Sequence, residues 1–111
     1  MNTENINDRI SEIINKDDVV LFMKGTPVFP QCGFSSTVVD VLSHVGAPFQ
    51  SYNILEDEAL RDGIKTFSNW PTIPQLYVKG EFIGGCDIVR EMYSEGELSQ
   101  LLKDKGVATE E

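Results

Sequence analysis

The sequence has few of the residues on which several classes of site depend. Its 111 residues include two cysteines, one histidine and nine basic residues against eighteen acidic ones, a formal charge of −9. Two cysteines are too few for a disulfide scaffold. The acidic balance opposes binding to nucleic acid or to an anionic membrane, because phosphate binding needs a basic surface. We therefore expect small molecules or other proteins as partners.

Long apolar runs, repeats and linkers are also missing. No run approaches the ~20 residues of a membrane span. The N-terminal segment, MNTENINDRISEI, is polar from its second residue and lacks the apolar stretch of a secretory signal. A cytoplasmic, reducing compartment is the resulting expectation. The length and the 41% of apolar residues fit a single domain over residues 1–111. Only the ends look loose, and residues 107–111 are predicted to be a disordered tail.

The apolar pattern predicts alternating helices and strands. Isoleucines at helical spacing predict a helix from about Thr3 to Asn15, and the continuous run VVLFM at 19–23 predicts a strand covered on both faces. Further elements are predicted as a helix ending before Gly46, a strand over 49–54, a helix capped by Asp57, a hairpin over 75–83 and one interrupted or two short helices from Asp87 to Gly106. This order predicts an α/β fold, a central sheet with two parallel strands joined by a right-handed crossover, followed by a hairpin, with helices on both faces.

Cys32 lies where a reactive or ligating thiol is expected. It follows a strand and a proline-rich loop and stands at the start of a predicted helix, whose positive end favours the thiolate. Lys24, at the start of the loop, adds a positive charge. The alternative is that Cys32 is a small buried apolar residue. The turn residues before it and Gly33 beside it are typical of an exposed loop, which makes this alternative less favoured. Ser35 stands where a C-x-x-C motif has its second thiol, so a redox cycle would need Cys86 or a small-molecule thiol.

Charged residues elsewhere in the chain indicate which small-molecule thiol would bind beside Cys32. Arg61 and Lys65 lie on one helix face and form a basic set with Lys24, although such pairs are more often merely solvent-exposed. Residues 85–87 begin the next helical segment, where backbone N–H groups can receive a carboxylate and Asp87 can accept from an amine. A ligand with a thiol, two carboxylates and an amine fits this set, and glutathione is that ligand.

The segment WPTIP at 70–74 precedes the predicted hairpin. Pro74 is a candidate cis-proline, because cis peptides are nearly confined to X–Pro bonds. A kink there would leave backbone groups of Thr72 and Ile73 free to pair with an extended peptide ligand. Two ordinary trans prolines ahead of an edge strand are the alternative.

Taken together, these motifs resemble the monothiol (CGFS) glutaredoxins. The resemblance runs from about Val19 to Met92 and rests on MKGTPVFPQCGFS, LRDGIKTF and SNWPTIPQLYVKGEFIGGCDI, in that order. It implies the single-domain form, a thioredoxin-like fold and a central four-stranded mixed sheet. It also implies a labile [2Fe-2S] cluster that bridges a dimer, in which each subunit supplies one cysteine and one glutathione.

The resemblance further implies roles for individual residues. Cys32 would be the cluster ligand and the redox-active residue. The residues implied to hold glutathione are Lys24 and Arg61 at a carboxylate, Lys65 as a helper, Thr72 and Ile73 through their main chain beside a cis-Pro74, and Gly85, Cys86 and Asp87 at the γ-glutamyl end. Ligand counting agrees, since a [2Fe-2S] cluster usually has four thiolates, and two chains with two glutathiones supply four. Cys32, Cys86 and His44 cannot by themselves close a four-coordinate zinc site.

Three functions are weighed on this basis. The favoured one is a carrier that accepts a [2Fe-2S] cluster from a scaffold and passes it to apoproteins, or senses iron with a BolA-type partner. The second is a glutathione-dependent oxidoreductase that removes glutathione from protein thiols with Cys32 alone. The third, an adaptor without metal, leaves the CGFS motif unexplained. The expected partners are glutathione, a second copy of the chain when the cluster is bound, a BolA-type protein and apo acceptors of iron–sulfur clusters.

Overall fold

The computed structural model describes residues 5–110, in which five helices and four strands alternate. Their bounds are α1 (Ile6–Lys16), β1 (Val19–Met23), α2 (Gly33–Val45), β2 (Gln50–Asn53), a short 3₁₀ turn (Ile54–Glu56), α3 (Glu58–Ser68), β3 (Gln75–Val78), β4 (Glu81–Gly84), α4 (Cys86–Ser94) and α5 (Glu97–Asp104). The predicted order is confirmed, and the C-terminal region consists of two short helices separated at Gly96. Among these helices none is long and apolar enough to cross a membrane.

The four strands form one mixed sheet in the order β2-β1-β3-β4. Strand β1 pairs in parallel with β2, so that Leu21 lies opposite Ser51, and antiparallel with β3, where Leu21 lies opposite Leu76. Strands β3 and β4 form the predicted antiparallel hairpin around Lys79 and Gly80. The central four-stranded mixed sheet is therefore confirmed.

Strand β1 separates two apolar cores. Val19, Leu21 and Met23 pack into a core with α2, α4 and α5, whereas Val20 and Phe22 pack into a second core with α1 and α3. All five residues of β1 are buried. A continuous apolar strand is what a sheet covered by helices on both faces requires.

The end of β2 differs from the sequence prediction. Strand β2 ends at Asn53, before the predicted residue 54, because the Asn53 side chain accepts hydrogen bonds from the Leu55 N–H (3.0 Å) and the Gly25 N–H (2.9 Å) and so caps the turn that follows. The predicted start of the first helix at Thr3 lies outside the described residues. Within them α1 begins at Ile6, after Asn5, whose side chain accepts from the Asn7 N–H at 2.7 Å.

The C-terminal end also differs from the predicted disordered tail at 107–111. Val107 is buried in the core beside α2 and α5, and its N–H donates to the Leu102 carbonyl at 2.8 Å. The Glu110 N–H donates to the Val45 carbonyl at 2.9 Å, at the end of α2. One apolar side chain and two helix carbonyls thus hold residues 107–110 against the fold. Glu111 lies outside the described residues.

Helix α3 begins at the predicted cap. The Asp57 side chain accepts from the Leu60 N–H at 3.1 Å and forms an ion pair with Arg9 of α1. The Arg61 N–H donates to the Asp57 carbonyl at 2.9 Å. The Arg9 and Leu60 donors hold the pKa of the Asp57 carboxyl below its ordinary value of 3.8. This cap fixes the end of α3 from which Arg61 projects.

Asp57→Ala should lower the free energy of unfolding by about 1 kcal/mol at neutral pH, because the helix cap is lost. Since the pKa of Asp57 is lowered in the folded state, its stabilisation is present above pH 3.8, the ordinary pKa, and is lost as the pH falls through the folded pKa. Urea unfolding at several pH values measures both effects. Asp62→Ala, at an exposed position of the same helix, is the matched control. Equal losses for the two variants at neutral pH would contradict the prediction.

Candidate functional site

One cavity of about 450 Å³ lies where the end of β1 and the N-termini of α2 and α4 meet the segment between α3 and β3. The sequence-predicted site residues all line it, namely Lys24, Cys32, Arg61, Lys65, Thr72, Ile73, Pro74, Gly85, Cys86 and Asp87. Phe34, Ile54, Trp70, Pro71 and Ile88 complete the wall. The structure therefore brings the sequence-predicted residues together from four separate stretches of the chain.

Cys32 occupies the N-cap position of α2, where no side chain caps the helix. The backbone N–H of Ser35 is the main cause that lowers the pKa of the Cys32 thiol. Partial burial opposes this effect, while the Phe34 N–H, the charge of Lys24 and the Ser35 hydroxyl lower the pKa further. Free N–H groups at a helix start stabilise an anion. The expected thiolate-favouring environment of Cys32 is thus present.

Ser35 has a structural role that the sequence analysis missed. Its side chain is fully buried, and its hydroxyl oxygen accepts a hydrogen bond from the Lys24 N–H at 3.1 Å. This contact ties the end of β1 to the first turn of α2 and keeps Lys24 beside Cys32. A serine in the first turn of a helix was the available signal, since its hydroxyl readily bonds nearby backbone groups.

The loop between β1 and α2 is held by its own backbone. The Gln31 N–H donates to the Lys24 carbonyl at 2.9 Å, and Gly25 has a φ of 93°. A Cβ atom on Gly25 would lie 2.5 Å from the Phe29 carbonyl oxygen, so a larger residue does not fit. The loop tip instead exposes Val28 (78%) and Phe29 (72%) to solvent. Cys32, which follows this loop, is partly exposed.

Three cations face the cavity without carboxylate partners. Lys24 follows β1, and Arg61 and Lys65 lie one turn apart on α3. Within residues 5–110 no ion pair joins any of the three to an acidic side chain. In a chain of formal charge −9, a local excess of positive charge is a place where an anionic ligand is attracted.

The segment from Trp70 to Pro74 has the predicted backbone, with a cis Ile73–Pro74 peptide bond. It is tied to the sheet by Gln75, whose side-chain nitrogen donates to the carbonyls of Trp70 (3.1 Å) and Thr72 (3.2 Å). Thr72 is exposed, whereas Ile73 is only 5% exposed. This segment forms one wall of the cavity.

The N-terminus of α4 forms the neighbouring wall. Gly85 is its N-cap and provides no side chain to cap the helix. A Cβ atom on Gly85 would lie 3.2 Å from the Pro74 carbonyl oxygen, so the absence of a side chain allows the two walls to approach. Asp87 is exposed and forms an ion pair with Arg90 at 3.5 Å. The uncapped first turn presents N–H groups to an anion.

Cys86 lies in the same cavity but differs chemically from Cys32. Burial raises the pKa of the Cys86 thiol, and the charges of Asp87 and of Cys32 act in the same direction. Arg90 and a hydrogen bond with Thr37 oppose the rise without cancelling it. Among the residues that the structure describes, no three His, Cys, Asp or Glu side chains group closely enough to hold a metal ion. Of the two thiols, Cys32 is therefore the one whose surroundings favour the thiolate.

Known proteins are similar in sequence to most of this chain. The family model named Glutaredoxin matches residues 19–83. Monothiol glutaredoxin-S14, chloroplastic, of Arabidopsis thaliana is 54% identical over 98 residues, which are 88% of this chain and 57% of that protein. The chain thus spans less than two thirds of this relative. A probable monothiol glutaredoxin 2 of Rickettsia typhi is 55% identical over 96 residues, 86% of each chain.

Solved structures are similar over nearly the whole chain. The solution structure of a monomeric truncated mutant of Trypanosoma brucei 1-C-Grx1 has a TM-score of 0.87 and 40% identity, over 97% of this chain and 98% of that one. The crystal structure of a buckwheat glutaredoxin–glutathione complex has a TM-score of 0.80 and 25% identity, over 91% and 90%.

The two thiols should differ in their pH dependence of alkylation. Cys32 should reach half-maximal reactivity with iodoacetamide below pH 9.0, and Cys86 above it, because their pKa values move in opposite directions from that ordinary value. Mass spectrometry of the two cysteine peptides follows each thiol separately. Lys24→Gln should raise the pKa of Cys32, since a positive charge that favours the thiolate is lost. Lys79→Gln, in the β3–β4 turn, is the control. A common pH midpoint for both thiols would contradict this assignment.

Proposed function

The chain belongs to the monothiol glutaredoxins and has their thioredoxin-like fold, and from this premise we propose that it carries a [2Fe-2S] cluster. The cluster is cargo, held between two copies of the chain with two glutathione molecules and passed to apoproteins. The observation that carries the proposal is the single thiolate-favouring Cys32 beside three cations in one cavity. We place this activity in the cytoplasm, in iron–sulfur cluster assembly and iron homeostasis.

Glutathione is the first ligand in this proposal. Its carboxylates match the three cavity cations, which form no ion pair within residues 5–110, and the uncapped start of α4; its peptide backbone matches residues 72 and 73 in the cavity wall. Lys24 and Arg61 would hold one carboxylate, with Lys65 beside them. The N–H groups at Gly85–Asp87 would receive the γ-glutamyl carboxylate, and Asp87 would accept from its amine. The buckwheat glutaredoxin of similar fold is described as a glutathione complex, which supports this choice.

The cluster itself would take its ligands from several molecules. Iron in [2Fe-2S] centres is usually held by four thiolates, and Cys32 is the one thiol of this chain with a lowered pKa that lies at the cavity. A second chain and the thiols of two glutathione molecules bring the number to four. Ligands that are not covalently attached to the protein can leave with the cluster, which suits transfer to an apo acceptor or to a complex with a BolA-type partner.

A second candidate function rests on the same thiolate. Cys32 could attack the glutathione sulfur of a mixed disulfide, releasing the protein thiolate and forming a Cys32–glutathione disulfide. A free glutathione thiolate would then attack this disulfide, regenerate the Cys32 thiolate and leave as glutathione disulfide. Each step exchanges one S–S bond for another. The lowered pKa of Cys32 favours this chemistry, whereas the raised pKa of Cys86 makes it a poor resolving thiol.

Anaerobic reconstitution with ferrous iron, sulfide and glutathione tests the carrier function. The wild-type chain should become coloured and elute as a dimer, because two chains are needed to complete the ligands. Cys32→Ser should stay colourless and monomeric, whereas Cys86→Ser, the matched thiol control, should still bind the cluster. A colourless monomer for the wild type would refute the carrier. Rapid turnover of a mixed disulfide together with absent cluster binding would favour the reductase.

Lys24→Ala and Arg61→Ala should each weaken glutathione binding about fivefold, equivalent to about 1 kcal/mol, because each loses one partly exposed charge pair. The reconstituted dimer should lose its visible absorbance faster in both variants. Glutathione titration by calorimetry and decay of the absorbance after gel filtration provide the two measurements. Lys103→Ala, on α5 and outside the cavity, is the control for a general charge effect. Unchanged affinities and half-lives would exclude both residues from the ligand site.

A further inference from the structure

Two polar side chains within residues 5–110 are fully buried, and both lie behind the cavity. They are Ser35 and Gln75, each with no exposed surface. Burying a polar group is costly unless it is hydrogen-bonded, and an apolar side chain of the same size would avoid this cost. Ser35 ties Lys24 to the start of α2. Gln75 carries neither a charge nor a thiol, so the ligand contacts proposed above do not explain why its amide is buried.

The side-chain amide of Gln75 uses both its nitrogen and its oxygen. The nitrogen donates to the carbonyl oxygens of Trp70 at 3.1 Å and of Thr72 at 3.2 Å, so both of its hydrogens have acceptors. The oxygen accepts from the Tyr77 hydroxyl at 3.2 Å. The two carbonyls can only accept, so they require the amide nitrogen on their side, and the Tyr77 hydroxyl donates to the amide oxygen that this orientation leaves on the other side. Burial raises the pKa of Tyr77 to about 12, which keeps this donor protonated at neutral pH.

These bonds determine where neighbouring backbone groups point. The Ile73–Pro74 bond is cis, whereas the Thr72–Ile73 bond is trans. In a trans peptide the carbonyl and the N–H point in opposite directions. Because the Thr72 carbonyl points inward to Gln75, the Ile73 N–H points away from that buried amide. Ile73 lines the cavity, so its N–H is turned towards the ligand space.

We propose that Gln75 is a positioning residue for the glutathione site: its buried amide orients residues 70–74 so that the Ile73 N–H meets the ligand, and the Tyr77 hydroxyl supports the amide by donating to its oxygen. This inference rests on the proposed function, because it specifies how one wall of that same site is held. Gln75 acts through the main chain and does not itself line the cavity. Its predicted effect is on ligand affinity beyond any effect on stability.

The test uses S-methylglutathione, which cannot exchange disulfides or ligate iron through a free thiol. The variants are Gln75→Met, which keeps the side-chain length without the amide, Tyr77→Phe, and the double substitution. Leu98→Ala, a fully buried residue of α5 in the opposite core, serves as a control of comparable destabilisation. Titrations followed by ¹⁵N amide shifts give the dissociation constant and the response of Ile73. Trp70 is the only tryptophan of the chain, so its fluorescence reports on the same segment.

Gln75→Met should weaken binding about tenfold, because it removes all three hydrogen bonds of the amide, and Tyr77→Phe about threefold, because it removes one of them. The double variant should be no weaker than Gln75→Met alone, because Tyr77 acts through the amide. The Ile73 shift on binding should shrink, and unliganded Gln75→Met should show red-shifted Trp70 emission. Leu98→Ala should lose stability without changing affinity or emission.

The two possible failures are distinguishable. Wild-type binding with the same affinity in Gln75→Met would overturn the positioning role and leave the proposed function intact. An equal loss of affinity in Leu98→Ala would also overturn it, since stability alone would then explain the effect. If the wild-type chain does not bind S-methylglutathione, the proposed glutathione site fails, and the positioning role fails with it. Should Gln75→Met not fold, Tyr77→Phe decides, and unchanged affinity there would count against the inference.

Discussion

The start of α2 is the feature on which the site depends. A helix begins with N–H groups that have no partner inside the helix, and here the N-cap position holds Cys32 in place of a capping hydroxyl or carboxylate. The N–H groups of Ser35 and Phe34 therefore act on sulfur. The helix therefore lacks a stabilising side-chain cap, and the thiol lies where free N–H groups favour its anion. The loop before α2 and the cations around it are arranged with respect to this sulfur.

The contrast between the two cysteines shows how local backbone decides chemistry. Cys32 and Cys86 line one cavity and each lies at the start of a helix. Cys32 is at the N-cap, outside the first turn, where the free N–H groups converge. Cys86 is already the first helical residue and is buried, so desolvation dominates and its thiol stays protonated. Free N–H groups at Cys32 and burial at Cys86 thus move the pKa values of the two thiols in opposite directions.

Much of this arrangement could be predicted from the sequence, because it depends on local signals. The apolar run of β1 and the Asp57 cap each follow from a few adjacent residues, whereas the adjacent residues left the cis bond before Pro74 open and the resemblance favoured it. The motifs that carry the resemblance to a known family added which distant residues lie together at the site. Contacts between a side chain and a distant backbone group could not be found in this way. The bond from Gly25 to Asn53, which ends β2 early, joins residues that no local pattern connects. Val107 is a similar case, since its burial depends on α2 and α5 being in place.

The pairing register of β1 has a further consequence for the chemistry at its end. The strand alternates between the two cores, and its neighbours fix it on both sides, with Phe22 opposite Tyr52 in β2 and Gln75 in β3. A slip by one residue would exchange the two cores, and it would also move Lys24 along the strand axis by about 3.3 Å. That is comparable to a whole hydrogen-bond length, so the lysine would lose its contact with Ser35. The packing of the sheet therefore sets the distance between Lys24 and Cys32, because the buried apolar side chains of β1 fix the register of the strand that ends before Lys24.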